Sequence, residues 1–279
     1  MKTRRHFLKT VGTVALGSMI LPSLVSARIK IKNPGIQLYT VRAEMLADAH
    51  STLKKLADLG IKQIESARSA KGNYYGLTAK EMKQACKDLG MTLRSGHVGV
   101  DAKWQQTMEE AAESGQEYLI CSSMPSSGQT LDNYKRTADI FNKNGEECRK
   151  LNLKFGYHNH DYEFDKVDGQ ILYDVLMDNT DPKFVYMELD LGWVIASGQD
   201  PFHYFSKYPG RFPLWHLKDM NLKKKESTEF GKGGLDIAKI LQHQGESGLK
   251  YLFIEQEEYA KNPIESMKYN MDYLERIRA

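Results

Sequence analysis

From Pro34 onward the chain repeats one pattern eight times: a short apolar run, then an amphipathic stretch with the 3.6-residue period of a helix. The runs predicted as strands are Ile36–Val41, Ile61–Ala67, Thr92–Val98, Glu117–Met124, Lys154–Asp161, Val185–Trp193, Pro213–Met220 and Tyr251–Glu257. Stretches such as HSTLKKLADLG and AKEMKQACKDLG lie between them and close on Asp-Leu-Gly. Glycine supplies the left-handed residue that ends a helix before the next strand, and Gly115 and Gly248 are expected to act likewise. After the sixth run, SGQDPFHYFSKYPGR leaves room for only an abbreviated helix. Strands alternating with helices predict a parallel sheet. Eight such units predict a single (β/α)8 TIM barrel, for which roughly 250 residues are typical. A doubly wound sheet is the alternative, but no Gly-x-Gly-x-x-Gly follows the first run, where a dinucleotide fold needs it.

Residues 1–27 are excluded from that reading. Thr3-Arg4-Arg5-His6-Phe7-Leu8-Lys9 precedes the apolar VGTVALGSMILPSLV and the small-residue sequence Val25-Ser26-Ala27. The apolar stretch is too short and too broken by Gly and Pro to span a bilayer. It resembles a twin-arginine export signal. The resemblance implies a periplasmic protein, exported folded and without a membrane anchor after processing, whose single domain is 28–279. The whole chain has 39 basic and 36 acidic residues and a formal charge of +3. Removing Lys2, Arg4, Arg5 and Lys9 leaves 35 against 36, a formal charge of −1. A near-neutral mature chain argues against a nucleic-acid partner and for a small molecule. Three cysteines, Cys86, Cys121 and Cys148, form no disulfide framework, although a single Cys86–Cys148 bridge stays open. No CxxC or Cys/His spacing suggests structural zinc.

The last four predicted strands each end in two polar residues two apart: His158 and His160, Glu188 and Asp190, His216 and Lys218, Glu255 and Glu257. Residues i and i+2 of a strand face the same way, and a barrel carries its site at the C-terminal strand ends. A lone strand histidine is more often a hydrogen-bonded core residue. Four polar pairs at corresponding places are another matter, because buried unpaired charges are costly. A divalent cation would offset the repulsion among Glu188, Asp190, Glu255 and Glu257, and a salt-bridge network through Lys218 is the competing account. His97 ends the third run and can touch substrate oxygens or exchange protons. Glu65 ends the second and is a candidate for binding a substrate hydroxyl, as is Glu257. Lys218 can polarise a carbonyl, and Trp193 offers an apolar face to a sugar ring.

Gly156-Tyr157-His158-Asn159-His160-Asp161, Glu188-Leu189-Asp190-Leu191-Gly192-Trp193, His216-Leu217-Lys218-Asp219 and Phe253-Ile254-Glu255-Gln256, with Phe230-Gly231-Lys232-Gly233-Gly234-Leu235-Asp236 between the last two, together resemble the xylose isomerase-like TIM barrels, the sugar phosphate isomerases/epimerases. The resemblance covers the whole mature chain. It implies a divalent metal, commonly manganese, with zinc, cobalt or magnesium as alternatives. Asp190, His216 and Glu255 match three of the family's ligands. Where many members have Glu before Asn-His on the fifth strand this chain has His158, the expected fourth ligand; imidazole in place of carboxylate changes the site charge by one unit and shifts affinity toward zinc.

The implied chemistry is proton abstraction beside the carbonyl of a free, keto- or glycosidic sugar. Glu255 or Glu188 would be the base and His97 or His160 its partner. The enolate leads to an isomer, an epimer or, by expelling a leaving group, a lyase product. Export and the lack of a Walker-type loop argue against a phosphorylated substrate; Lys223-Lys224-Lys225 reads as a solvated loop. The rivals are an apurinic endonuclease, disfavoured by charge and export, and a non-catalytic sugar-binding barrel, which would lack metal. Association with further copies stays open.

Overall fold

The computed structural model describes residues 33–278. Its main strands are β1 Gly35–Gln37, β2 Gln63–Ala67, β3 Thr92–Val98, β4 Tyr118–Cys121, β5 Lys154–His158, β6 Val185–Asp190, β7 Leu214–Leu217 and β8 Tyr251–Ile254. All pair in parallel, and the order β1-β8-β7-β6-β5-β4-β3-β2 closes on itself. Each predicted run holds one strand, so the fold is the (β/α)8 barrel expected from the alternation. The candidate leader, 1–27, lies outside the described residues. No helix among the described residues is long and apolar enough to cross a membrane. Cys86, Cys121 and Cys148 are buried free thiols, so the bridge left open between Cys86 and Cys148 is not formed.

Several strands stop earlier than their apolar runs, and side-chain capping explains two of the cases. The Gln37 side chain accepts the Tyr39 N–H at 3.0 Å and turns Leu38–Val41 into a 3-10 helix. Asp190 Oδ1 accepts the Trp193 N–H at 2.9 Å and starts the helix Leu191–Ala196. A polar side chain at a strand end thus satisfies a first-turn N–H that would otherwise be orphaned. Trp193 is helical, not part of a strand. Beyond β7 the chain folds back as an antiparallel hairpin, Asp219–Asn221 with Glu226–Thr228. The abbreviated helix is Pro201–Lys207, with Asp200 capping it and proline at its first position.

The inward-facing side chains change character along the barrel axis. At the strand starts Tyr118, Ile120, Leu214 and Phe253 form a buried apolar cluster, distinct from the larger core between sheet and helices. Tyr186 and Tyr251 pack edge-on to Tyr118, at 5.8 and 6.1 Å between ring centroids. Two residues further along the same strands come Glu188, His216 and Glu255, so an apolar plug directly underlies a polar layer. Gly156 makes room for it: a Cβ there would lie 2.7 Å from Ile120 Cδ1 and 3.1 Å from the Tyr186 carbonyl oxygen. Gly156→Val is expected to lower stability by about 2 kcal/mol through overpacking, read as a lower urea midpoint, and to displace His158 two residues on.

Candidate metal centre and active site

Strand register assembles the site. His158 lies beside Glu188 across β5 and β6, Asp190 beside His216 across β6 and β7, and Gln37 beside Glu65 across β1 and β2. A bulge between Ile64 and Glu65 shifts the β2–β3 register, and Ala67 then pairs with His97. Three imidazoles meet at the centre: His97 stacks on His216 at 5.1 Å, and His158 lies 4.8 and 4.5 Å from the two.

Two overlapping groups have donor atoms within 4.8 Å of one another, His97–His158–Glu188–His216 and His158–Asp190–His216–Glu255. The second group is the one expected from the sequence, and the geometry favours it. His216 Nδ1 lies 3.0 Å from Glu255 Oε2 and 3.9 Å from Asp190 Oδ2, while His158 Nε2 is 4.0 Å from Asp190 Oδ2. The opposite ring nitrogens face buried carboxylates: His216 Nε2 is 2.6 Å from Glu65 Oε1, and His158 Nδ1 is 3.3 Å from Glu188 Oε2. A metal-binding histidine commonly donates its second N–H to such a carboxylate, which fixes ring and tautomer; His216 has that bond, to Glu65, whereas His158 Nδ1 faces Glu188 without a hydrogen bond. Asp190 Oδ2 is buried without a hydrogen-bond partner; Lys218 Nζ stands 3.1 Å away, but out of hydrogen-bond alignment. A buried carboxylate oxygen with no hydrogen bond, facing two imidazoles, fits a cation. Two nitrogens and two oxygens suit zinc, manganese or cobalt.

The site opens into a cavity of about 240 Å³. Of the residues expected to act here, His97, His158, His160, Trp193, Lys218, Glu255 and Glu257 line it. Asp190, His216, Glu188 and Glu65 lie beneath, fully buried. Glu65, expected to meet a substrate hydroxyl, instead holds Gln37, Ser95 and His216. Lys218 is clasped by Asp190, by Glu255 Oε2 at 2.7 Å and by Glu257 Oε1 at 2.8 Å. His160 leans outward onto Tyr162, and its backbone N–H donates to Glu163. Tyr39, Arg68 and Ser122 also line the cavity and were missed. Each stands within two residues of a strand end, which is the signal that would have found them.

The polar layer shares its charge unevenly. Burial pushes the Glu188 carboxyl well above the usual range, and nearby Glu65 adds to the effect. Burial also opposes ionisation of Glu65 and Glu255, but neighbouring groups outweigh it. His97 and His216 hold Glu65 low, and Lys218 and His216 hold Glu255 well below the ordinary value. Burial opposes charge on His216 as well, yet Glu188 and Glu255 raise it well above normal. Burial lowers His97 to about 4, and burial with cationic neighbours takes His158 well below the usual range. His160 rises despite burial because Glu163 faces it.

The model of the xylose isomerase-like TIM barrel family matches residues 53–277. The chain belongs to this family. Among members and fold relatives, it is similar to the inosose dehydratase of Clostridium perfringens (strain 13 / Type A), 30% identical over 154 residues that make up 48% of this chain and 51% of that enzyme. The chain thus spans about half the length of the curated relatives it matches. The crystal structure of a sugar phosphate isomerase/epimerase from Parabacteroides distasonis ATCC 8503 superposes with a TM-score of 0.79 and 28% identity, over 88% of this chain and 98% of that one. A protein named IOLI, solved with a zinc atom, superposes with a TM-score of 0.71 over 88% and 98% of the two chains. At 12% identity that likeness is one of fold.

Metal binding through His216 at this xylose isomerase-like site must displace the proton that His216 holds, since its pKa is raised. Affinity for manganese or zinc, measured by calorimetry, is therefore expected to fall as pH drops from about 8 to about 6, with proton release on binding. Asp190→Ala is expected to abolish uptake, and Glu65→Gln to weaken it about 10–100-fold.

Proposed function

We propose that this chain is a divalent-metal-dependent enzyme that removes the proton beside the carbonyl of a keto sugar or cyclic keto-polyol. Glu255 carries the reading. It is a buried carboxylate held ionised in the cavity wall, and its hydrogen bonds among the described residues all run through Oε2, which leaves Oε1 for substrate. His158, Asp190, His216 and Glu255 would hold the ion; manganese is the proposed metal, and the zinc in the IOLI protein supports a cation of this class. When bound, the cation would act as a Lewis acid that acidifies the neighbouring C–H.

The chain's own residues do the rest. Glu255 Oε1 takes the proton. Lys218 lines the cavity with an ammonium that burial opposes but three carboxylates hold charged, so it can donate to an oxygen that becomes negative. Half-buried Trp193 offers its ring face to the sugar. His160, with its raised pKa, can return a proton. Proton return to carbon gives an epimer or isomer, the outcome favoured by similarity to the Parabacteroides protein along nearly its whole length. Proton delivery to a departing oxygen gives elimination, the second reading, favoured by similarity to inosose dehydratases. Cationic Arg68 and Lys218 face anionic Glu255 and Glu257 around the cavity, a balance that supports an uncharged polyhydroxy substrate over a phosphate.

The test is incubation of manganese- or zinc-supplemented protein in D₂O with a panel of free and keto sugars. Deuterium is expected at the carbon beside the carbonyl, with epimer, isomer or dehydrated product identified by NMR. Glu255→Gln is expected to slow exchange about 10²–10⁴-fold. Absence of exchange in every sugar would sink the proposal. Export by the twin-arginine route is proposed alongside it: joint replacement of Arg4 and Arg5 by lysine is expected to keep the protein out of the periplasm, as read by cell fractionation.

A further inference from the structure

A second cleft, of about 300 Å³, adjoins the candidate active site. It lies between the segments that follow β2 and β3 and the helix Trp104–Ser114. Two neighbouring strands lead from one space into the other. Ala67, the last residue of β2, lines the catalytic cavity; just past it, Arg68 lines both spaces and Ser69 lines the cleft. In β3, His97 lines the cavity, and past the strand's end Gly99 and Asp101 line the cleft.

Arg68 is the shared wall. Its guanidinium lies 3.3 Å from Asp101, and its side chain keeps 60% of its surface exposed. A Cβ at position 99 would overlap Nη1 of Arg68, so the glycine leaves the guanidinium room to lie between the two spaces. Its five N–H donors exceed what one carboxylate can accept, so donors remain for a ligand. The remaining lining is polar. Asn73 offers an amide, Gln106 keeps its amide oxygen while its NH₂ donates to Glu110, the Ser69 hydroxyl donates to the Gly72 carbonyl, and the charges of Arg68 and Lys103 are matched by Asp101 and Glu110. No large apolar side chain lines the cleft. Mixed donors and acceptors without net charge or apolar surface suit a neutral ligand rich in hydroxyls, not an anion or a lipid.

We infer that this cleft is a second sugar subsite, and that the substrate is a glycoside whose keto-bearing ring occupies the catalytic cavity while its attached sugar crosses Arg68. The inference rests on the proton-abstraction reading for the first ring and adds the class of molecule that ring belongs to. It excludes a free single ring as the preferred substrate.

The experiment compares kcat/KM for deuterium exchange into a keto-disaccharide and into the matching free keto-monosaccharide, in wild type and in Gln106→Trp. The substitution places an indole in the cleft from an exposed helical position. Wild type is expected to prefer the disaccharide by about tenfold or more, and the ratio is expected to collapse toward one in the variant. Equal use of both by wild type, or a ratio unchanged by Gln106→Trp, overturns the subsite. Asn73→Trp, which fills the cleft from the facing segment, is the second variant if the first tryptophan prevents folding, and the same collapse is expected. If neither ketone exchanges, the proton-abstraction reading falls and calorimetry with the unoxidised disaccharide decides the cleft. Binding lost in the variant supports it, and no binding, or binding equal in both proteins, overturns it.

Discussion

Everything at the open end of this barrel depends on keeping four carboxylates close together out of water, beside a fifth at the rim. Glu65, Glu188, Asp190 and Glu255 are buried, with Glu257 at the rim, and a layer of that composition cannot carry all its negative charge uncompensated. The compensation is divided by depth. Lys218 and His216 keep Glu255 ionised at the cavity, while Glu188, deeper and beside Glu65, is the group that burial drives to hold a proton. The ionised carboxylate thus faces the substrate space and the protonated one supports a histidine from below. A divalent cation among Asp190, His158, His216 and Glu255 would take over part of that compensation, which ties the protonation of the layer to metal occupancy.

The features legible in the sequence were those that follow from strand geometry. Period-two placement puts His158, Glu188, Asp190, His216, Lys218 and Glu255 at one barrel end, and the eightfold alternation implies the fold. Three features were not legible. The bulge beside Glu65 is a matter of register between β2 and β3, which one strand's pattern does not contain. Gln37 and Asp190 end their strands through side-chain bonds to backbone N–H groups, and a run of apolar residues around them reads as continuing strand. Arg68 and Tyr39 belong to no motif; only the closure of the barrel gives them a cavity to line. The phrase from Phe230 to Asp236 had a concrete cause that the sequence did not reveal. The buried Asp219 carboxylate accepts the N–H groups of Gly231, Gly233 and Leu235, and Gly233 packs so close that a side chain would collide with that carboxylate.

Family membership and function stand on different supports. The family match covers most of the chain, whereas the dehydratase alignments reach about half of it. Fold relatives carry several chemistries on one scaffold, so the reaction has to be argued from the site. His158 matters most in that argument. It leaves one wall of the cavity with imidazoles (His97, His158 and His160) and gives the carboxylates Glu255 and Glu257 to the other. An epimerase with a carboxylate on each face of its substrate would be built differently. This asymmetry is what keeps elimination, with a base on one side and an acid on the other, a physical alternative to epimerisation.

The apolar plug has a kinetic consequence. Tyr118, Tyr186 and Tyr251 stop the barrel at its strand starts, so among the described residues the cavity has its entrance at the loop end alone. Whatever enters past Arg68 and Tyr39 leaves by the same route. Under the proposed reaction, product and substrate would exclude each other from a single vestibule, and product that lingers there would act as a competitive inhibitor of its own formation.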